Sequence, residues 1–510
     1  MKDIILTLKT KTAGNDRKPT AYFRRIFLVE KLRNAEGMIL LSLFAVLCSF
    51  IVYSEGLTGG ILMLLVMIGL PTVFAIVRFP MFGILITLIG AYLLMWIYGM
   101  IASVPLGTVM DGIQVLLILG FFITQKQKPD WSLFRQPIGI IILVWVIYNI
   151  LQFGNPTAES RMAWVYTIRS VAVVTLMYFI FGHNIRTLNF LKIILKIWLA
   201  LALFGALYAF KQEYIGFSAS ELRTLEDPQV RALYFINGHW RKFSIFSDPV
   251  AFSYNMVAAA LFCITMLFSH LKRSKKVILA IMTVIFLQAM LFSGTRGAYV
   301  LVPAGVFLLV VLKLNKRMLI FSIAAAAFMA VLILMPSSSP SIRRFQSAFR
   351  PSEDASFNVR KENQKRIQPF IQSHPFGGGL GATGVWGTRF SPHSFLAKFP
   401  PDSGYVRVAV EAGSIGLLLI CTLMVVILIT GINSFFSIKD PELRSYCLAM
   451  SVIIFAYAVG NYPQEAIVQF PSNIYFYLFA AMITVTKRLD NEKQRRKLFP
   501  SNLKETYENT

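Results

Sequence analysis

Acidic charge is scarce in this chain, with 25 Asp and Glu against 50 Lys and Arg, and charged residues of either sign make up only 15% of the sequence. What fills the space is apolar: 56% of residues are hydrophobic and 14% aromatic. Apolar runs long enough to cross a bilayer recur from end to end, which a water-soluble core does not require. Cysteine is also rare. Cys48, Cys263, Cys421 and Cys447 all lie inside apolar runs, and no pair has the short spacing of a zinc or redox motif. They read as small packing residues, with no disulfide or structural metal. The five histidines match no metal-binding helix motif, and no Asp-x-Asp or acidic cluster falls in the segments expected to face outward. The first 37 residues lack the short apolar core and small-residue cleavage site of a signal peptide, so the run from Met38 reads as a retained first span.

The fold class expected is therefore an all-α polytopic integral membrane protein of about 14 transmembrane helices, with a large outward-facing loop subdomain. The spans fall near 38–53, 60–79, 81–103, 112–125, 138–153, 162–182, 189–210, 249–269, 277–293, 298–312, 318–335, 404–433, 445–460 and 473–487. The basic stretches "KQKPDWSLFR", "HLKRSKK", "KLNKR" and "KRLDNEKQRRK" share one side with the N-terminal tail if the count is even. By the positive-inside rule both termini are then cytoplasmic. The opposite short loops, "SEGLTGG", "PLGTVMDG" and "NYPQEAIVQFPS", carry no Lys or Arg. The organisation expected is a basic cytoplasmic tail (1–37), an N-terminal bundle (38–210), an outer loop (211–248) and membrane helices carrying a turn at Arg296 (249–335). A large outer loop (336–403), C-terminal helices (404–487) and a cytoplasmic tail (488–510) complete it.

The two long loops are too long to be structureless connections and too rich in aromatics to be linkers, so they should fold over the outer membrane surface. Outward basic residues cluster there. The first loop has Arg223, Arg231, Arg241 and Lys242. The second has Arg343, Arg344, Arg350, Arg360, Lys361, Lys365, Arg366, Arg389 and Lys398. Arg296 stands in the turn of "FSGTRGAYVL", between Gly294 and Gly297, and an arginine at the bilayer centre costs about 2.5–3.5 kcal/mol on insertion scales. Guanidinium forks suit phosphate oxygens, so these residues read as an anion site or, alternatively, as contacts to lipid headgroups. For "SIRRFQSAFR" the headgroup reading is preferred, because Phe345 and Phe349 beside the arginines suit an interfacial helix. For Arg296 the anion site is preferred. "DASFNVRKENQKRIQPF" should form a helix capped by Ser356, with Glu362 and Arg366 as an i,i+4 pair. The glycines of "HPFGGGLGATG" either let backbone N–H groups approach an oxygen-rich ligand or form a flexible loop. Glu411 is expected to pair with Arg407.

Several stretches, in this order, resemble the O-antigen ligase and polymerase superfamily of bacterial envelope glycosyltransferases. They are "FSIFSDPVAFSYN" behind Arg241, "SGTRGAYV", "SFNVR", "HPFGGGLGATG" and "DSGYVRVAVEAGSIG", covering roughly 235–420. In the last, Asp402, Ser403, Gly413 and Gly416 match the ligase spacing, with Asp402 standing where the ligases have histidine. That departure favours a polysaccharide polymerase over a lipid A–core ligase.

The resemblance implies a glycan donor on undecaprenyl diphosphate in the outer leaflet of the bacterial inner membrane. Its diphosphate would leave as an acceptor sugar hydroxyl attacks the anomeric carbon, most simply with inversion. Arg241 and Arg296, with Arg360 and Arg389 as further candidates, would stabilise the diphosphate, and Asp402 or His393 would take the hydroxyl proton. Asp402 also has the position of a helix N-cap. No cofactor or metal is expected, the arginines standing in for a divalent cation. The partners implied are the lipid-linked donor, a glycan or lipid A–core acceptor, membrane lipids and a chain-length regulator protein, with no nucleic acid. A lipid-linked glycan flippase or transporter is the alternative, but no repeated pair of broken spans supports it. A protein-glycosylating transferase is a minor branch, and a non-catalytic scaffold leaves the arginine clustering unexplained.

Overall fold

The structure is a computed structural model and describes residues 35–100, 106–236, 238–337, 340–349 and 355–498. The basic tail before residue 35, the last twelve residues and Arg350 lie outside the described residues. The chain divides into two compact units, Met1–Gly83 and Ile84–Thr510. The described part of the first is dominated by helix Ala35–Arg78, interrupted at Gly56 by a φ of 60° and carrying Pro71.

The protein is all-α and polytopic, as its apolar patterning requires. Among the described residues ten helices are long and apolar enough to cross a membrane, and the apolar helices Ser42–Ser54, Met67–Arg78 and Arg296–Leu312 are shorter. Helix Ser472–Leu498 is apolar in its first half and charged in its second. Among the ten spans the most enclosed are Pro249–Leu267 and Pro441–Gly460, with Lys316–Leu334 at the periphery. Helix Pro249–Leu267 can be enclosed because it is apolar on all sides and carries Ala258, Ala259 and Ala260 in succession, which lets neighbouring backbones approach. Its few polar groups are paired. The Tyr254 hydroxyl donates to the Gly460 carbonyl at 2.9 Å, and Asn255 Nδ2 donates to Ser472 Oγ at 3.0 Å.

One expected span is broken. The range 404–433 forms two helices, Gly404–Glu411 and Gly413–Ser437, with Gly413 at a φ of 71°. A side chain at Gly413 would run into the Pro375 carbonyl, so the glycine permits both the left-handed turn and a close backbone crossing. Apolar composition alone does not register such a break.

At the end of the larger unit that bears the long loops, both loops fold. The first forms helices Ala219–Leu225 and Pro228–Tyr234 and a two-residue antiparallel hairpin, with Phe235 opposite Trp240. The second forms helices Pro340–Ser347, Ala355–Ser373 and Gly384–Phe390. Ile367, Leu396 and Phe399 from this loop pack with Val410 into a small core, which fixes the loop on helix Gly404–Glu411. Within the described residues the expected cap Ser356 already lies inside helix Ala355–Ser373, and Arg366 lies over the Phe395 ring at 5.0 Å. At the opposite, basic end, Arg488 donates from its two terminal nitrogens to the carbonyls of Gly182 and Ile185, each at 2.7 Å, closing a helix C-terminus.

Candidate active site

Helices Arg273–Phe292 and Arg296–Leu312 meet in the turn Ser293-Gly294-Thr295, where Gly294 has a φ of 60°. Arginines converge on this turn from three segments. Arg241, just after the hairpin, donates Nε to the Ser293 carbonyl at 2.9 Å and Nη1 to the Leu233 carbonyl at 3.1 Å. Its Nη2 donates to Thr295 Oγ1 at 3.0 Å. One N–H remains on each terminal nitrogen, so Arg241 both fastens the first loop to the turn and keeps donors for a ligand. Arg344 donates Nε to the Gly294 carbonyl. A side chain at Gly294 would sit 2.9 Å from Arg344 Nε and 3.4 Å from Arg241 Cγ, so the glycine lets both cations close on one backbone corner. Arg296 is the third. Arg241, Arg296 and Arg344 all act electrostatically on the buried Tyr299 hydroxyl. Burial lowers the Arg241 guanidinium from its usual range, Asp248 opposes this, and Arg296 adds like-charge repulsion.

The position of Arg344 corrects the interfacial reading of "SIRRFQSAFR". Phe345 is buried, its ring 5.2 Å from Tyr299 and 5.3 Å from Phe349, so this helix turns its aromatic face to the protein. Amphipathic spacing is the same whether the apolar face meets lipid or a protein neighbour.

Gly297 extends the site. A side chain there would meet the Tyr254 hydroxyl at 3.2 Å and Pro463 at 3.4 Å, so the Arg296 helix abuts the short loop after Gly460. That loop holds the segment carrying Asp402: the Gly404 N–H donates to the Asn461 carbonyl at 2.9 Å. Arg360 acts on both Tyr254 and Asp402, and with Asp402 it lines a small cleft of about 10 Å³ floored by Phe399 and Val406. The helix cap is Ser403, whose Oγ accepts from the Val406 N–H at 3.4 Å, leaving the Asp402 carboxylate uncommitted to capping. Asp402 is exposed at the cleft, yet the surrounding protein desolvates its carboxyl enough to raise it above the usual aspartate range, while Arg360 pulls it back.

Behind Asp402 is an ion triad in which Glu411 is buried and Arg407 and Glu465 are half-buried. Arg407 donates Nε to Glu411 at 3.1 Å and Nη1 to Glu465 at 2.7 Å. Glu465 is raised above the usual glutamate range by burial, with Arg407 opposing and both Glu411 and Asp402 adding to the rise. The glycine run bears on Glu411. The N–H groups of Gly381 and Thr383 donate to its carboxylate at 3.1 and 3.3 Å, the Thr383 hydroxyl donates as well, and the Gly378 and Gly379 N–H groups donate to the Val410 and Glu411 carbonyls. The oxygen-rich group cradled by "HPFGGGLGATG" is thus the protein's own Glu411 carboxylate. The glycines are needed because Gly377 and Gly413 meet backbone to backbone.

The remaining expected residues sit apart. Arg389 is exposed on an aromatic platform, 5.5 Å from the Phe390 ring, 5.9 Å from Tyr166 and 6.0 Å from Trp386. His393 is exposed three residues beyond Phe390. Among the described residues no hydrogen bond, ion pair or ring contact joins either to Arg241, Arg360 or Asp402. Nor does any group of three or more His, Cys, Asp or Glu among the described residues suit a metal ion. The structure therefore gathers Arg241 and Arg296 at one turn and Arg360 beside Asp402, with Tyr254 lying between the two pairs. It adds Arg344 and Glu465, neither of which the sequence singled out for the site. Glu465 did leave one signal, as the only acidic residue in "NYPQEAIVQFPS".

The fold and this cationic corner define a polytopic membrane protein with three arginines gathered on one interhelical turn. Residues 281–421 match the family model described as O-antigen ligase, which supports membership of the O-antigen ligase and polymerase superfamily and rests on that segment. The matched segment contains Arg296, Arg344, Arg360, Asp402, Arg407 and Glu411. No curated protein matches the chain.

Proposed function

We propose that the chain is a membrane glycosyltransferase that polymerises glycan from an undecaprenyl-diphosphate-linked donor at the outer face of the bacterial inner membrane. The observation that carries this reading is the convergence of Arg241, Arg296 and Arg344 on one turn, joined through Tyr254 and Pro463 to the segment bearing Asp402 and Arg360. The donor's diphosphate binds the arginine corner. An acceptor hydroxyl oxygen bonds to the anomeric carbon as the bond from that carbon to the diphosphate oxygen breaks. The electron pair leaves with the diphosphate, where fixed guanidinium groups stabilise it, and the hydroxyl proton passes to Asp402. Backside attack inverts the anomeric centre. The arginines take the part a divalent cation plays elsewhere.

Transfer to lipid A–core is the second reading, favoured by the description of the matched family. The aspartate at the position where the ligases carry histidine weighs toward polymerisation. The experiment is transfer by the full chain in lipid nanodiscs, supplied with lipid-linked donor and either a second repeat unit or lipid A–core as acceptor. Elongation of the repeat unit, undiminished by EDTA, is expected. Transfer to lipid A–core alone would establish the ligase, and restoration of an EDTA-inhibited reaction by Mg²⁺ or Mn²⁺ would remove the arginines from that role.

A further inference from the structure

Helix Ala355–Ser373 of the second long loop packs on helix Gly404–Glu411 through one face. On a helix that covers a protein surface, the face withdrawn from water recurs at i, i+3, i+4 and i+7 and is ordinarily apolar. Here that stripe runs Arg360, Asn363, Gln364 and Ile367. Its second half obeys the rule. Ile367 is buried beside Phe399 and Val410, with Phe370 and Ile371 packed on the same core. Its first half does not. Arg360, Asn363 and Gln364 are half-buried, whereas Lys361, Glu362, Lys365 and Arg366 on the other faces are exposed. Apolar residues at 363 and 364 would have extended the Ile367 core, so packing does not explain the polar turn.

That turn lines the cleft of about 10 Å³ that holds Asp402. The volume is about what one water needs, so the cleft admits a single hydroxyl and no sugar ring. Among the described residues no hydrogen bond or ion pair engages the side chain of Asn363 or Gln364. Each amide offers an acceptor oxygen and two N–H donors, and neither brings charge to the base. Half-withdrawing such groups from water without partners is unfavourable, and a ligand that exchanges hydrogen bonds with them recovers the loss. A hydrocarbon chain would leave both amides unmet, and an anion would meet the Asp402 carboxylate. A hydroxyl suits them, since it donates and accepts at once. The cleft therefore fits a neutral hydroxylated group, with one hydroxyl inside it and the rest of the group at its mouth.

We infer that Asn363 and Gln364 position the acceptor sugar, holding the hydroxyls next to the reacting one so that one hydroxyl alone reaches Asp402 and one linkage forms. The linkage claim rests on the proposed function; binding of a hydroxylated ligand by the two amides does not. The test uses the full chain in nanodiscs. Binding is read with the lipid-free repeat-unit oligosaccharide of the host glycan, labelled at its reducing end, and turnover with lipid-linked donor and a second repeat unit. Asn363→Leu and Gln364→Met keep side-chain size, remove the amides and extend an apolar stripe, so the fold should be kept, with unfolding midpoints matching wild type. Each variant should weaken probe binding and raise the acceptor KM about three- to tenfold, the loss of one hydrogen bond, with kcat and the donor KM unchanged. Methylation analysis of the product should show a second linkage absent from wild type. Unchanged binding, acceptor KM and linkage in both variants, or an effect confined to kcat or the donor KM, would overturn the inference and leave the proposed function standing. Amide-dependent probe binding by a chain that transfers nothing would remove the proposed function and leave the sugar site standing. Neither binding nor transfer by wild type would overturn both.

Discussion

Arg343 and Arg344 are neighbours in the chain, but only the second is half-buried and reaches the Gly294 carbonyl. Arg344→Ala should therefore lower transfer by about 100- to 1,000-fold, the usual effect of deleting one preorganised donor to a developing charge. Arg343→Ala, on the exposed side, should stay within about twofold by the same argument; side-by-side kcat measurements check this. Asp402 carries a pH prediction. Burial raises its carboxyl and Arg360 lowers it, so the acid limb of the pH–rate profile should lie above the usual aspartate range. Activity falls as pH drops through that value, because the base must be ionised. Arg360→Ala removes the lowering influence and should move the limb further up, and Asp402→Asn should abolish transfer. A limb unmoved by Arg360→Ala would separate the two residues. The stability contribution has the opposite sense: the folded state holds this proton more tightly than the unfolded chain, so its stabilisation fades as pH rises through the raised value.

Helix Gly404–Glu411 and the glycine run form one supporting unit. Glu411 is held by Arg407, two backbone N–H groups and the Thr383 hydroxyl, so Glu411→Ala leaves Arg407 facing Glu465 alone and the Gly381 and Thr383 N–H groups unmet. Breaking such a buried pair costs about 3–5 kcal/mol, read as a lowered unfolding midpoint in detergent. Gly413→Ala should also destabilise, through its left-handed φ and the Pro375 carbonyl. At this scale the sequence was partly legible. The i,i+4 spacing of Arg407 and Glu411 announced their pairing, and the glycine run announced close backbone approach. What the glycines approach was not legible, since a carboxylate thirty residues away in sequence looks like any anionic ligand. Helix Pro340–Ser347 misled for a related reason: its stripe fixes which side is apolar, but only tertiary structure decides whether lipid or Tyr299 covers it.

Across the whole molecule, apolar run length made the membrane helices legible, because a long continuous apolar segment satisfies its own backbone out of water only as a helix, barrel strands being short and alternating. Arg296 was legible because a cation between two glycines in such a chain needs a reason. The positions of Arg344 and Glu465 were not, since each depends on which loop folds over which turn. The central claim is that the arginine corner and Asp402 act together on one lipid-linked glycan. The most direct test is the surface glycan ladder, resolved by gel, of a host lacking this chain and complemented with wild type, Arg296→Ala or Asp402→Ala at matched membrane levels. The account predicts single-repeat glycan or none without the chain, a long ladder with wild type, and no ladder with either variant. A full ladder from both variants would contradict it and return the arginines to lipid binding.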